Sequence, residues 1–187
     1  MTAPLTATAI LAGLADGTLP MDHLRAAPDG AVLIAALRTA TDEHAREVLC
    51  NALMYRREPA AVDVLIECLT SPSSSVRSSA ADGLATLRDP RAGEALFARL
   101  LAPEPHPGVY RMIIAALGAV QYHPAIPLLI PMLTSPDPGT RGTAAWSLGA
   151  LRAHDALPAL AAALAIEQTW YPRERMSVAI AELTAHR

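Results

Sequence analysis

Apolar residues recur along this chain at helical spacing, and the helices themselves recur at a fixed offset. Val76, Ala80, Leu84 and Leu87 fall on one helical stripe, and Ala92, Ala95, Leu96 and Leu100 form a second stripe directly after it. The pair of stripes then repeats. Leu53, Leu84, Leu117 and Leu148 are separated by 31, 33 and 31 residues. Leu65, Leu96, Leu129 and Leu160 take the same steps, as do Leu69, Leu100, Leu133 and Leu164. Arg88-Asp-Pro-Arg-Ala-Gly-Glu-Ala-Leu96 aligns with Arg57-Glu-Pro-Ala-Ala-Val-Asp-Val-Leu65 without a gap. Two-helix units are therefore expected to start near residues 41, 72, 103 and 136, with a C-terminal half unit over 167–187.

Proline supplies the punctuation. Pro59, Pro90 and Pro124 fall between the two stripes of a unit, where proline can occupy the first helical turn. Pro72, Pro103, Pro136 and Pro172 fall between units. Ser71-Pro-Ser-Ser-Ser75 reads as a turn followed by an N-cap, with phosphorylation as the alternative use of those hydroxyls. Before residue 41 the register fades. Short helices are expected at 4–15 and 20–27, and 29–40 resembles the second helix of an irregular unit. Residues 1–40 thus form an atypical N-terminal cap, as the ends of a stacked array require. The chain reads as all-α: one right-handed α-solenoid of stacked helical hairpins, without separate domains.

Composition agrees with helix. Alanine (39) and leucine (26) far outnumber valine and isoleucine together (17). The 15 basic residues are all arginine and face 18 acidic ones, for a net charge of -3, which excludes a generic nucleic-acid binder. No uncharged apolar run reaches the ~20 residues of a membrane span. The weak signal-like run Thr6–Ala15 has no basic residue before it and is followed by Asp16, so no secretory leader is expected. Cys50 and Cys68 match neither a disulfide framework nor a zinc spacing and read as small buried hydrophobes of a cytoplasmic protein.

The pattern Val76-Arg77-x-x-Ala80-Ala81-x-x-Leu84-x-x-Leu87-x-Asp89-Pro90-Arg91-Ala92 resembles the short HEAT repeats of phycobilin lyase subunits, and Thr140-Arg141-Gly-Thr-Ala144-Ala145-Trp-Ser-Leu148-Gly149-Ala-Leu151 repeats its first half. The resemblance covers residues 41–187. It implies an α-solenoid whose second helices line the concave side. It implies little about activity, because most such proteins are interaction scaffolds.

Several constellations are candidates for chemistry. Arg46, Arg77, Arg141 and Arg173 share one register position, with Tyr110 and Arg111 in the third unit. The resemblance implies pairing with the turn acid of a neighbouring unit. That position holds Glu58, Asp89, Tyr122 and Ala153, so Arg141 and Arg173 lack an evident partner. His123 and His154 are also equivalent, but equivalent points on stacked helices lie roughly 8–10 Å apart, too far for a shared zinc. His23, His44, His106 and His186 show no ligand spacing. With no lysine, Schiff-base and P-loop chemistry are excluded. Asp63, Glu67 and Glu94 form a possible carboxylate set, read as a solvated acidic face near Arg99. Trp146, Asp155, Arg152, Trp170 and Arg173 are the residue types used by HEAT-fold DNA glycosylases, yet residues 41–102 carry seven arginines against nine acids, which is no basic track. Gly118 and Gly149 sit mid-helix, where a missing side chain permits close packing.

The expected function is a non-enzymatic scaffold that needs no cofactor or metal and binds another protein, with no nucleic acid or membrane partner. The alternatives are an enzyme or enzyme subunit, lyase-like or glycosylase-like, and a self-assembly module such as a homodimer. By register, the expected docking positions pass from Asp63, Glu67 and Cys68 through Glu94, Ala98 and Arg99 to an apolar set: Pro127, Pro131, Met132, Pro158, Ala162 and Ala163. Pro131 is expected to kink its helix. The run from Ala156 to Ile166 carries no charge, so either it exposes an apolar patch or the last helix, with Met176, Ile180 and Leu183, folds over it.

Overall fold

Helices stop where the sequence punctuates them. The computed structural model describes residues 6–25 and 29–185, which hold twelve α-helices and no strand. Residues 4–5 and 26–27 of the two expected N-terminal helices lie outside the described residues, as does His186. The N-terminal segment contributes α1 (Ala7–Ala15), α2 (Met21–Arg25) and α3 (Gly30–Thr39). Then come α4 (Glu43–Tyr55), α5 (Val62–Cys68), α6 (Ser74–Leu87), α7 (Gly93–Leu101) and α8 (Pro107–Ala119). The chain finishes with α9 (Ile126–Leu129), α10 (Pro138–Ala150), α11 (Leu157–Ile166) and α12 (Trp170–Ala185).

Local chemistry explains the boundaries. Thr6, Asp29, Asp42, Ser73 and Asp137 each accept a backbone N–H of the first turn that would otherwise be orphaned. Short 3-10 turns at Pro59–Ala61, Pro90–Ala92, His123–Ala125 and His154–Ala156 lead into α5, α7, α9 and α11. Pro131 does more than kink its helix: α9 ends at Leu129, and a 3-10 turn replaces the next stretch over Pro131–Thr134.

The long helices α4, α6, α8, α10 and α12 pack directly on one another in order. Each repeating leucine lies at the seam: Leu53, Leu84, Leu117 and Leu148 are fully buried, as are Leu65, Leu96, Leu129 and Leu160. One continuous core runs from Ile10 to Leu183. The close approach depends on glycine at Gly118, where an added Cβ would lie 2.9 Å from the Cα of Ser147 on the next long helix. Burying so much aliphatic surface, at about 25 cal/mol per Å², is what holds the layers together.

The short helices behave differently. They pack mainly on the long helix that follows them in the chain, and along their own row they meet mainly through the 3-10 turns. The long helices thus form one layer of the stack and the short helices the other, and alanine and glycine seams let the long helices close up.

Candidate functional site

Ion pairs tie the long helices to the loops between units. Arg77 is 6% exposed; its Nε and Nη2 donate to Glu104 Oε2 and Oε1 at 2.8 Å each, and its Nη1 donates to the carbonyls of Ser71 and Pro72 at 2.8 Å. Arg99 donates to the same Glu104 carboxylate. Arg141 repeats the arrangement one clamp later, on Glu167 and the carbonyls of Ser135 and Pro136. The guanidinium of Arg77 holds the Glu104 carboxyl below its usual range. Of the turn acids expected to pair with this register of arginines, Asp89 instead pairs with Arg91 two residues away. The pairing therefore uses the loop between units, and Arg141 and Arg173 are not orphans: Arg173 Nη1 donates to the Glu167 carbonyl at 3.1 Å. At the position of Glu104 and Glu167 the other units carry Ser71 and Ser135. Without a carboxylate there, Arg46 Nη2 reaches the thiol of Cys68 at 3.6 Å. The Cys50 thiol also bonds to it; this and Arg46 hold Cys68 low, while that bond and burial push Cys50 up.

A second register feature has no counterpart among the sequence expectations. Arg57, Arg88, Gln121 and Arg152, separated by 31, 33 and 31 residues, all adopt left-handed backbone, with φ of 51°, 55°, 60° and 52°. Each ends a long helix. In three units the following N–H closes back on the carbonyl five residues earlier, Glu58 to Leu53, Tyr122 to Leu117 and Ala153 to Leu148, a closure that demands a left-handed residue. An L-residue there costs roughly 1–2 kcal/mol that glycine avoids. The only signal in the sequence is that each of these residues precedes a turn position. Arg57, Arg88 and Arg152 are exposed and have no ion-pair partner among the described residues.

Below this rim runs a groove. Arg57, Asp82, Thr86, Arg88, Met112, Ala115 and Trp146 line a cavity of about 510 Å³, and Ala115, Thr143, Trp146, Tyr171 and Arg175 line one of about 220 Å³. Ala115 and Trp146 belong to both, so the two adjoin across α6, α8, α10 and α12. Asp82, Ala115 and Trp146 are equivalent positions of successive units. The alanine between an acid and an indole makes the hollow. Tyr171 packs against Gly142, where a Cβ would come within 2.3 Å of its ring, and the Arg175 guanidinium sits 5.5 Å from the Tyr171 centroid. The Nε of Arg175 is shielded from water and has no acceptor among the described residues. Burial pushes the Asp82 carboxyl above its usual range.

The six positions singled out in the sequence lie on the other, short-helix layer. Pro127, Pro131, Pro158 and Ala162 are exposed, Met132 is half-buried, and Ala163 is buried. Both expectations for this end hold in part. Helix α12 covers one side of α11, burying Leu160 and Ala163 beneath Met176 and Leu183, while Ala161, Ala162, Ala165 and Ile166 stay exposed, Ile166 at 73%. The carboxylates disperse into ion pairs, Asp63 with Arg91 and Glu67 with Arg38. Arg99 is committed to Glu104. Among the described residues no cluster of three metal-ligating side chains forms.

Comparison with known proteins returns one family. The sequence matches HEAT repeats over residues 30–106 and again over 93–181. No curated protein matches it. Among solved structures, the complex of CpcE and CpcF of phycocyanin lyase from Nostoc sp. PCC7120 is similar over 100% of this chain and 90% of that one, with 26% identity and a TM-score of 0.65. An engineered protein aligns over 96% and 90%, with 20% identity and a TM-score of 0.64. A designed armadillo repeat protein in complex with peptide (KR)4 aligns over 97% and 88%, with 15% identity and a TM-score of 0.61.

Proposed function

The chain belongs to the HEAT repeat family, and on that premise we propose that it is a non-enzymatic scaffold whose long-helix face binds another protein. The observation that carries this reading is the pair of adjoining cavities that share Ala115 and Trp146. A half-buried indole over a small residue is the kind of anchor pocket that supplies most of the energy of a protein contact. The similar solved structures support a protein or peptide occupant, since one is a complex of two chains and another holds a peptide. No helix of the described residues is long and apolar enough to cross a membrane. Two buried free thiols fit work in the cytoplasm.

The test is capture of partners from the native host with wild type and Trp146→Ala side by side. A partner retained by wild type and lost by a variant with an unchanged melt supports groove binding. Partners kept in full by the variant overturn it.

A second surface is favoured by the exposed apolar strip of α9 and α11. Pro127, Pro131, Pro158 and Ala162 are exposed along it with Met132 half-buried beside them and Ala163 buried beneath, and Ile166 ends it. We assign it to self-association or to a second chain. Light scattering of Met132→Glu combined with Ala162→Glu tests this: an unchanged oligomeric state removes self-association. An enzyme-subunit role rests on the likeness to the CpcE and CpcF complex. It predicts that the captured partner is a second repeat chain and that the pair has an activity neither has alone.

A further inference from the structure

The partner's chemistry is written in the charges that the fold leaves unmatched. Acids outnumber bases along the chain, yet the acids near the clamps are consumed: Glu104 by Arg77 and Arg99, Glu167 by Arg141, Asp137 by Arg111 and Asp89 by Arg91. The rim arginines Arg57 and Arg88 have no such partner among the described residues, and both line the larger cavity. Arg175 lines the smaller one with a buried Nε that has no acceptor among the described residues. The groove thus holds three arginines against the single carboxylate of Asp82. Keeping Arg at left-handed positions where glycine relaxes the backbone points the same way.

We propose that this groove takes an extended acidic segment of a partner protein. Its carboxylates pair with Arg57, Arg88 and Arg175, and one aromatic or branched apolar side chain sits on Ala115 against Trp146. The sign is opposite to that of the (KR)4 peptide held by the designed armadillo protein. The inference rests on the scaffold reading and adds the partner's charge and anchor. Arginine suits the task because its planar fork pairs with carboxylates in two-point geometry.

The experiment is fluorescence anisotropy with a labelled probe peptide in which glutamates flank a central phenylalanine. A lysine counterpart and a single-stranded oligonucleotide serve as controls. The glutamate probe is expected to bind, and to weaken about tenfold at high salt. Arg57→Gln with Arg88→Gln should weaken it about tenfold with little change in melting, because Gln121 already occupies the same left-handed position in the third unit. Asp82→Asn should tighten it. The proposal is overturned if the lysine peptide binds as well, if the oligonucleotide displaces the probe at lower concentration, or if the arginine and Asp82 variants bind unchanged. A partner lost on Trp146→Ala but insensitive to salt and to the arginines leaves the scaffold reading standing and removes this one.

Discussion

Arg141 and Glu167 form a two-point clamp across the last unit boundary: Nε donates to Oε2 at 2.6 Å and Nη2 to Oε1 at 2.9 Å. Glu167 also accepts the N–H of Thr169 at 2.8 Å and is 5% exposed. With Arg141 beside it, its carboxyl is held down to about 2. An unfolded glutamate titrates near ~4.3, so the lowered folded value stabilises the protein above that pH. The contribution is lost as pH falls from there toward 2.

Denaturant titrations across this window are the check. Wild type should lose stability steadily through it, helped by Glu104 and Asp137, whose carboxyls are lowered too. Glu167→Gln should be weaker by about 1.5–3 kcal/mol at neutral pH, the worth of charged hydrogen bonds, with a flatter acid limb. A Gln variant that follows the wild-type pH curve would exclude the clamp as its source.

Glu104 and Asp89 make opposite predictions for the same arginine. Glu104→Gln strands Arg77 and Arg99 together, one of them buried, and should cost about 3–5 kcal/mol. Asp89→Ser keeps a cap for the Arg91 N–H and should melt close to wild type. Equal melting of the two variants would mean that the loop between units does not carry the pairing.

Gly118→Ala tests how close the long helices lie. Alanine gains about 1 kcal/mol of helix propensity, but the new methyl meets backbone of Ser147 rather than a movable side-chain tip. Overpacking of this kind costs about 1–3 kcal/mol, so a lowered melting temperature is expected. A raised one would show that α8 and α10 part freely.

Arg88→Gly separates backbone from charge. Glycine relieves the left-handed strain but widens the unfolded ensemble, for a net gain of up to about 1 kcal/mol. Arg88→Val should be destabilised, because a branched side chain fits that conformation worst. Thermal melts of the pair decide it; equal stability would remove the strain argument.

Most of the stack is legible in the sequence because its determinants are periodic. Leu84, Leu96 and their equivalents fall into one register, and the stripe and proline spacing place the helices within a few residues. The N-terminal helices are legible to a similar degree, with Asp29 and Asp42 capping α3 and α4. The arginine partners are not, because Asp89 is nearer in sequence, whereas Glu104 becomes the neighbour only when α6 packs on α8. The close spacing of the long helices is hidden for a related reason. Helix order carries no information on layer spacing, which depends on the small residues at Gly118 and Gly149. The groove at Ala115 is invisible because an alanine in an alanine-rich chain signals nothing until a tryptophan stands beside it.

Each long helix packs on the one before and the one after, so the major contacts close only short loops of chain. Low contact order of this kind favours rapid assembly from any point along the array. It also makes length a free variable: duplicating or deleting one repeat leaves every remaining seam the same kind of surface. A lineage can therefore lengthen or shorten the recognition track in steps of one helix pair, and change what the protein reads without redesigning how it folds.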